Sequence, residues 1–202
     1  MNKTLLKYKV ALFVLKKSFQ EVVRMKRSAY EAQVNKTLEF FEKASIVLTD
    51  KEKASVEVVD FGKDMVDELG LQLVVYINTE KVCAKEMVLL PGQTCAEHKH
   101  VPTNGMPGKE ETFRCRWGKV YLYVSGEKNT DEIKAKLPPS DVTVFHEVVL
   151  NPGEQYTIMP ETLHWFQGGP EGAVVSEFST RSTDETDVFT DKTLIREVII
   201  ED

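Results

Sequence analysis

The chain has 202 residues, of which 42% are hydrophobic, so it can bury one substantial core but hardly two. Its formal net charge is −6, and Lys and Arg are spread along the chain rather than clustered, which argues against a nucleic-acid or anionic-membrane partner. A small or neutral ligand fits this composition better.

The first 24 residues differ in character from the rest of the chain. An apolar run from Val10 to Leu15 is interrupted by two lysines, is too short to span a bilayer and is not followed by a small-residue cleavage site. We therefore predict no signal peptide. Because Met25 opens a stretch that is typical of a natural start, we expect the native chain to begin at Met25 and residues 1–24 to be an upstream N-terminal extension.

An amphipathic helix is predicted over residues 28–44. Apolar side chains recur there at helical spacing, namely Tyr30, Val34, Leu38 and Phe41. This stripe predicts packing against the rest of the protein. We assign residues 25–60 to the helix and its lead-in.

From residue 56 onward, short β-branched and aromatic runs alternate with turn residues. The predicted strands are residues 71–78, 82–90, 119–124, 143–150, 155–158 and 174–178. Such a pattern is typical of an all-β sandwich or barrel. We predict a mainly β fold, with the barrel and a C-terminal tail over residues 61–202, and a last strand at residues 198–200.

Two of the four histidines form the sequence His98-Lys99-His100. On an extended strand side chains alternate with period two, so both imidazoles would lie on one face and converge on one point. A His-x-His pair alone is weak support for a metal site. Its surroundings strengthen it, because Gly92 lies five residues before the pair and Glu111 is followed, after six residues, by Gly118. This frame resembles the first cupin motif.

The second cupin motif is approximated by Pro152-Gly153, a following strand and His164. Two departures exist: residues 101–110 lengthen the segment before Glu111, and the second motif is one residue short between Pro160 and its histidine. The resemblance implies a cupin jelly-roll barrel with an N-terminal helix. The metal ligands that it implies are His98, His100, Glu111 and His164.

Three neutral imidazoles and one carboxylate suit Mn²⁺, Fe²⁺, Co²⁺, Ni²⁺ or Zn²⁺, and an octahedral ion would keep two positions open for a substrate. The alternative is a closed zinc site that only stabilises the barrel, but such sites usually include cysteine thiolates. None of Cys83, Cys95 and Cys115 occupies a ligand position of the motif. An odd set of cysteines without CxxC spacing also indicates a reducing compartment, so we expect a cytoplasmic protein.

Longer local phrases extend the resemblance beyond a generic cupin. They are Pro91-Gly92-Gln93-Thr94-Cys95, residues 109–116, His164-Trp165-Phe166-Gln167, Glu177-Phe178-Ser179-Thr180 and residues 187–191. Together they resemble the D-lyxose isomerase family over residues 40–195. The resemblance implies a manganese-dependent ketol isomerase that interconverts D-lyxose and D-xylulose, often also D-mannose and D-fructose, and acts as a homodimer.

Such an isomerase needs a base, because a chelated aldose has an acidified C2 proton that must move to C1 through a cis-enediol. Glu177 shares a strand face with Val175 and Ser179; it is the candidate base if that face is interior, and a surface carboxylate otherwise. Lys109 precedes Glu111 by two residues. On a continuing strand Lys109 would point toward the metal and stabilise the developing oxyanion. If the strand starts only at Glu111, Lys109 is a solvated loop residue.

Two further residues are candidates for sugar binding. Phe166, on the strand face of His164, could form an apolar wall, and Asp187 lies in a polar segment that could bind hydroxyl groups. We expect Trp117 to serve packing. His146 matches no ligand position and is expected to be a surface or locally bonded histidine.

Three other functions stay open. A cupin-type phosphoglucose isomerase would use the same ligands and would need a cationic phosphate pocket, for which Lys109, Arg114 and Arg116 are candidates. A cupin dioxygenase would bind O₂ at the open positions of an iron. A non-catalytic sugar-binding cupin would need neither Lys109 nor the carboxylate of Glu177 at the metal.

Overall fold

The protein is described by a computed structural model over residues 23–202; residues 1–22, and with them most of the predicted extension, lie outside the described residues. The elements in chain order are β1 (Val23–Lys26), α1 (Arg27–Lys43), α2 (Asp50–Lys53), β2 (Glu57–Val59), β3 (Leu71–Asn78), β4 (Cys83–Leu89), β5 (Thr94–Lys99), β6 (Glu111–Val124), β7 (His146–Leu150), β8 (Gln155–Ile158), β9 (His164–Ser179), a 3₁₀ helix (Asp184–Thr186), β10 (Val188–Phe189) and β11 (Val198–Glu201). The predicted mainly β fold with a helix ahead of it is confirmed.

Nine of the described strands form one curled sheet, and β1 pairs in parallel with β11 as a separate ribbon. Within the sheet, β10, β5, β9, β4, β3 and β2 are successive hydrogen-bonded neighbours. Strand β6 pairs with β9 and also with β7 and β8. The two longest strands, β6 and β9, therefore form the antiparallel backbone of the barrel.

Both long strands change register halfway along, next to Gly118 and Gly172. These glycines have φ values of +72° and +86°, a region that side chains disfavour. A Cβ added to Gly172 would lie 2.5 Å from the ring of Phe40 and 2.6 Å from the carbonyl oxygen of Leu89. Only glycine allows the strand to turn so close to its neighbours.

This turn closes the sheet and brings distant residues together. A straight strand of this length, 16 residues, would hold its ends about 50 Å apart. Instead His164, the first residue of β9, lies 3.1 Å from Glu111, which pairs with Ser179 near the other end of the same strand. The curl of β9 thus gathers polar side chains from both of its ends.

One apolar cluster fills the interior of the curled sheet. Phe113 and Phe166, each 1% exposed, meet edge to face with ring centroids 4.8 Å apart. Burying an aromatic side chain of this size contributes about 1.5–3 kcal/mol to folding. Because these two rings also line the cavity beside the histidines, core packing and cavity shape are linked.

Helix α1 covers the outer face of the sheet, but most of its buried residues do not belong to the predicted apolar stripe; they lie on a neighbouring face of the helix. The buried residues are Gln33, Thr37, Phe40 and Phe41, of which only Phe41 was predicted. The polar pair is hydrogen-bonded, since Gln33 donates to Asp67 over 2.8 Å and Thr37 donates to the carbonyl of Gln33 over 2.7 Å. Apolar periodicity could not reveal these two. Over residues 23–202, no helix is long and apolar enough to cross a membrane.

A smaller cluster forms on another part of the sheet, where Tyr123 and Trp165 stack with ring centroids 4.1 Å apart. The Tyr123 hydroxyl donates to Glu147 over 2.8 Å, and the backbone N–H of Lys134 donates to the same carboxylate over 2.7 Å. Burial by itself raises the pKa of Glu147, but these donors and the Lys134 ammonium group lower it below its usual value.

The structure extends two of the predicted strands. Strand β6 begins at residue 111 rather than 119, and β9 begins at residue 164 rather than 174. The added segments contain the glycine bends and polar ligands that break a simple alternating pattern. The division at residue 60 stays a prediction; β2, which precedes it, already belongs to the large sheet.

Candidate active site

Three strands bring the predicted metal ligands to one point. His98 lies on β5, His100 directly follows it, and Glu111 and His164 are the first residues of β6 and β9. The three histidines are buried, and their ligand nitrogens lie within 4.8 Å of one another. The Glu111 Oε1 atom lies 3.0 Å from His100 Nε2 and 3.1 Å from His164 Nε2.

All three imidazole rings are oriented in the same way. Their Nδ1 atoms donate to oxygens: His98 to the carbonyl of Ala96 (2.8 Å), His164 to the carbonyl of Thr162 (2.9 Å) and His100 to the carboxylate of Asp187 (2.5 Å). Because a carbonyl oxygen can only accept, the ring protons of His98 and His164 sit on Nδ1, and the lone pair on Nε2 is left for a metal ion, as is usual for metal-binding histidines. His100 has a carboxylate at each ring nitrogen, Asp187 at Nδ1 and Glu111 at Nε2, so a metal ion bound at its Nε2 would displace a proton.

A divalent metal ion fits this cluster. Among the described residues, the buried Nε2 atom of His164 has no hydrogen-bond partner, because Glu111 approaches it outside hydrogen-bond geometry. An unpaired buried acceptor costs about 1–3 kcal/mol, which coordination would relieve. Three Nε2 lone pairs and one carboxylate are a donor set for Mn²⁺, Fe²⁺, Co²⁺, Ni²⁺ or Zn²⁺, and the set alone does not select one of them.

Glu177 and Lys109 both reach the site. Glu177 lies on the interior face of β9 and is 3% exposed, so the surface alternative is wrong. Lys109 is 5% exposed although β6 starts only at Glu111, and its Nζ lies 2.8 Å from Glu111 Oε2 and 3.2 Å from Glu177 Oε1. Burial alone would lower the pKa of Lys109, but the surrounding carboxylates, Glu111 first, raise it well above its usual range.

The two oxygens of Glu177 have different surroundings. Oε1 accepts hydrogen bonds from Lys109 over 3.2 Å and from the Ser179 hydroxyl over 3.0 Å, and the Nζ of Lys85 lies 3.6 Å away. Within residues 23–202, no hydrogen bond reaches Oε2. One oxygen is therefore held, and the other is available for chemistry.

Three charged residues that the sequence reasoning missed complete the site. Lys85 lies on β4, and its Nζ is 2.6 Å from Asp184 Oδ2. Asp184 belongs to the 3₁₀ helix in the tail, and Arg196 lies 3.8 Å from it. A signal existed for Lys85, because it is two residues from Met87, which faces the interior, and two from Cys83, which is buried. The two tail residues stand in no such pattern.

A cavity of about 30 Å³ lies between these charged groups and an apolar wall. Both predicted sugar-binding residues, Phe166 and Asp187, line it, and Asp187 also holds His100. The apolar lining residues are Phe61, Leu71, Leu73, Met87, Phe113, Phe166 and Phe189.

The remaining candidates lie outside the cavity lining. Arg116 is exposed, and Arg114 donates to Gln155 at the surface over 3.0 Å. Trp117 packs edge-on against the helix, and the Nδ1 of His146 hydrogen-bonds a backbone carbonyl over 2.8 Å. Of the three cations considered for a phosphate pocket, only Lys109 lines the cavity.

A mainly β, curled sheet whose interior holds three converging histidines defines a cupin-like protein with a site that can hold a metal ion. Solved structures agree on the fold. The L-ribose isomerase of Acinetobacter sp. DL28, in complex with L-ribose, aligns with a TM-score of 0.66 and 16% identity over 88% of this chain and 99% of that chain. The L-ribose isomerase of Cellulomonas parahominis with L-psicose aligns with a TM-score of 0.65 and 17% identity over the same shares of each chain.

The sequence comparisons are more specific. The family model described as D-lyxose isomerase matches residues 50–202. The "D-lyxose/D-mannose isomerase" of Thermosediminibacter oceani is 56% identical over 181 residues, which cover 88% of this chain and 99% of that protein. The "D-lyxose ketol-isomerase" of Cohnella laeviribosi is 56% identical over 180 residues, with 88% and 98% covered. The chain belongs to the D-lyxose isomerase family, and it is an isomerase.

Proposed function

We propose that this protein interconverts D-lyxose and D-xylulose, and also D-mannose and D-fructose, through a cis-enediol. Two relatives at 56% identity that carry D-lyxose or D-mannose in their names support these substrates. The observation that carries the chemistry is the environment of Glu177, a buried carboxylate with one held oxygen and one free oxygen, beside the histidine cluster.

The cofactor of this proposal is a divalent metal ion, Mn²⁺ in the first place, held by the set His98, His100, Glu111 and His164. When bound, such an ion polarises the carbonyl and the adjacent hydroxyl of the sugar and so acidifies the C2 proton. The protein shields the ion from bulk water, because all four ligand side chains are at most 7% exposed.

The proton transfer falls to Glu177. Its Oε2 takes the proton from C2 of the aldose and returns it to C1. The proton of the C2 hydroxyl passes to the C1 oxygen in the same conversion, so the enediol becomes the ketose. Lys109 contacts Oε1 of the same carboxylate, so its ammonium group can stabilise the negative charge that develops on the sugar oxygen nearest to it. Burial of both groups strengthens this effect, since it excludes water.

Sugar binding is assigned to the cavity wall. Phe166 offers an apolar surface, and Asp187 offers the carboxylate oxygen that His100 does not use. A phosphorylated substrate is less well matched, because Arg114 and Arg116 lie outside the cavity. The cations that do line it, Lys85, Lys109 and Arg196, each already lie within 4 Å of a carboxylate.

The test is a substrate screen on protein that has been stripped of metal and reloaded with Mn²⁺. We expect ketose formation from D-lyxose and D-mannose, with no turnover of fructose 6-phosphate. Preferential turnover of fructose 6-phosphate would favour the phosphoglucose isomerase alternative. Sugar binding without turnover would favour the non-catalytic one.

We also propose that the protein acts as a homodimer, as the family resemblance implies. Light scattering coupled to gel filtration would show a mass near twice 23.0 kDa. A monomer mass at assay concentration would contradict this.

A further inference from the structure

Asp184 occupies a position between two buried ammonium groups. Its Oδ2 lies 2.6 Å from the Nζ of Lys85, and its Oδ1 lies 3.3 Å from the Nζ of Lys109. Both lysines also approach a single atom, Oε1 of Glu177, at 3.6 and 3.2 Å. The two carboxylates and the two ammonium groups therefore form a closed ring of contacts.

Charge explains why this ring needs Asp184. Two buried like charges on one carboxylate oxygen repel each other, and the charge of Lys109 lowers the pKa of Lys85. Burial also works against the ammonium form of Lys85, yet Glu177 and Asp184 together raise its pKa above the usual value. Without Asp184, Glu177 would be the only carboxylate within 4 Å of the Lys85 ammonium group among the described residues.

The backbone that carries Asp184 is fixed to the barrel. The neighbouring residue Ser182 accepts a hydrogen bond from Asn78 of β3 over 3.0 Å and donates its N–H to the same side chain over 3.1 Å. Its hydroxyl also contacts Lys85 over 2.9 Å. Supporting contacts of this kind reduce the motion of a residue that must hold others in place.

We propose that Asp184 is a positioning residue for the isomerase reaction: by bridging Lys85 and Lys109 it holds both ammonium groups on Oε1 of Glu177 and leaves Oε2 for the proton. This inference rests on the proposed function, in which Glu177 moves the proton between C2 and C1. It makes the C-terminal tail, and not only the barrel, part of the catalytic machinery.

Asp184→Asn is the central test, because the amide keeps the size of the side chain but removes its charge. The amide has only one acceptor oxygen, so it cannot accept hydrogen bonds from both lysines as the two carboxylate oxygens do. With D-lyxose and Mn²⁺ we expect kcat to fall about 10- to 100-fold, since misplacement of a reacting group by about 1 Å costs this much. KM should stay within about threefold of the wild-type value, because the metal and the sugar contacts are retained. Bound metal per chain should not change.

The deuterium isotope effect separates positioning from simple loss of structure. With D-lyxose deuterated at C2, Asp184→Asn should show a larger isotope effect on kcat than the wild type, because proton transfer becomes more rate-limiting. A partly unfolded protein would lower kcat and leave the isotope effect unchanged. Asp184→Glu, which restores the carboxylate, should recover part of the lost kcat.

Glu185→Gln is the matched control, since this neighbour in the same turn is exposed, and it should behave as the wild type. If Asp184→Asn does not fold, Lys85→Met tests the same bridge from its other end and should lower kcat at constant KM.

Three results would overturn the inference alone, provided that the wild type isomerises D-lyxose: an unchanged kcat, a raised KM at constant kcat, or loss of metal in Asp184→Asn. A wild type that is inactive on every free aldose would instead overturn the proposed function, and this inference with it.

Discussion

Replacing Glu177 by glutamine should separate metal binding from proton transfer. The substitution keeps the size of the side chain but removes the base, so kcat for D-lyxose should fall about 10²- to 10⁴-fold. That loss corresponds to about 2.7–5.4 kcal/mol of transition-state stabilisation. Metal content should stay at the wild-type level, because Glu177 makes no contact with the three histidines.

The structure also predicts that this variant folds. Removing the only partner of a buried charge costs about 3–5 kcal/mol. In Glu177→Gln, Lys85 retains an ion pair with Asp184 at 2.6 Å, and Lys109 retains one with Glu111 at 2.8 Å. The loss of unfolding free energy should therefore stay below that range.

The assay combines initial rates of ketose formation, metal analysis and exchange of the C2 proton with D₂O followed by NMR. Glu171→Gln is the matched control, because this glutamate lies on the same strand and is exposed. A Glu177→Gln rate within tenfold of the wild type would mean that another group moves the proton. Loss of metal together with loss of rate would mean that Glu177 supports the metal site.

Three further outcomes are expected from the structure. Gly172→Ala should lower the free energy of unfolding by about 3 kcal/mol, since the added Cβ collides with its neighbours. In the control Gly153→Ala, also at positive φ, the added Cβ has no atom within 4 Å, so the substitution should cost only about 1 kcal/mol. Equal urea midpoints for the two variants would refute the packing argument. His164→Ala should lose Mn²⁺ on dialysis while His146→Ala retains it, and equal metal retention would exclude the proposed ligand set. The pKa of Glu147 is lower in the folded than in the unfolded chain, so the ionised carboxylate stabilises the fold above the unfolded value of 4.5, and this stabilisation is lost as pH falls through the folded value. The difference in unfolding free energy between wild type and Glu147→Gln, measured in urea, should therefore shrink below pH 4.5. A difference that stays constant with pH would contradict this.

The histidine cluster was predictable because its residue type is rare in this chain and the spacing of His98 and His100 is periodic. His98 and His100 share a face by strand alternation alone, and three of the four histidines in the chain fall into the cluster. His164 could be found only through the motif, since its approach to Glu111 depends on the bend of β9. A bend of this kind is set by glycines that need not change the hydrophobic pattern.

The surroundings of Glu177, the proposed base, were harder to predict. Alternation indicated that Glu177 shares a face with Val175, but not which face is interior; the contacts of Val175 with the core decide that. Lys109 shows a different limit. It enters the site without belonging to a regular strand, so neither strand length nor register could place it.

Two carboxylates in the C-terminal tail, Asp184 and Asp187, are spaced three residues apart, a spacing that the period-two pattern of strands does not detect. Asp184 is the first residue of the 3₁₀ helix, and Asp187 directly follows that helix and donates its backbone N–H to the Asp184 carbonyl over 3.2 Å. In such a turn residues i and i+3 lie above one another. That geometry sends both carboxylates to the same side, where Asp184 contacts Lys85 and Lys109 and Asp187 contacts His100. One short turn therefore contacts the proposed proton-transfer groups and a proposed metal ligand at once. An insertion of one residue between the two aspartates would rotate one of them away, so the Asp-x-x-Asp spacing, rather than the polarity of the segment, is the part of the tail on which the site depends.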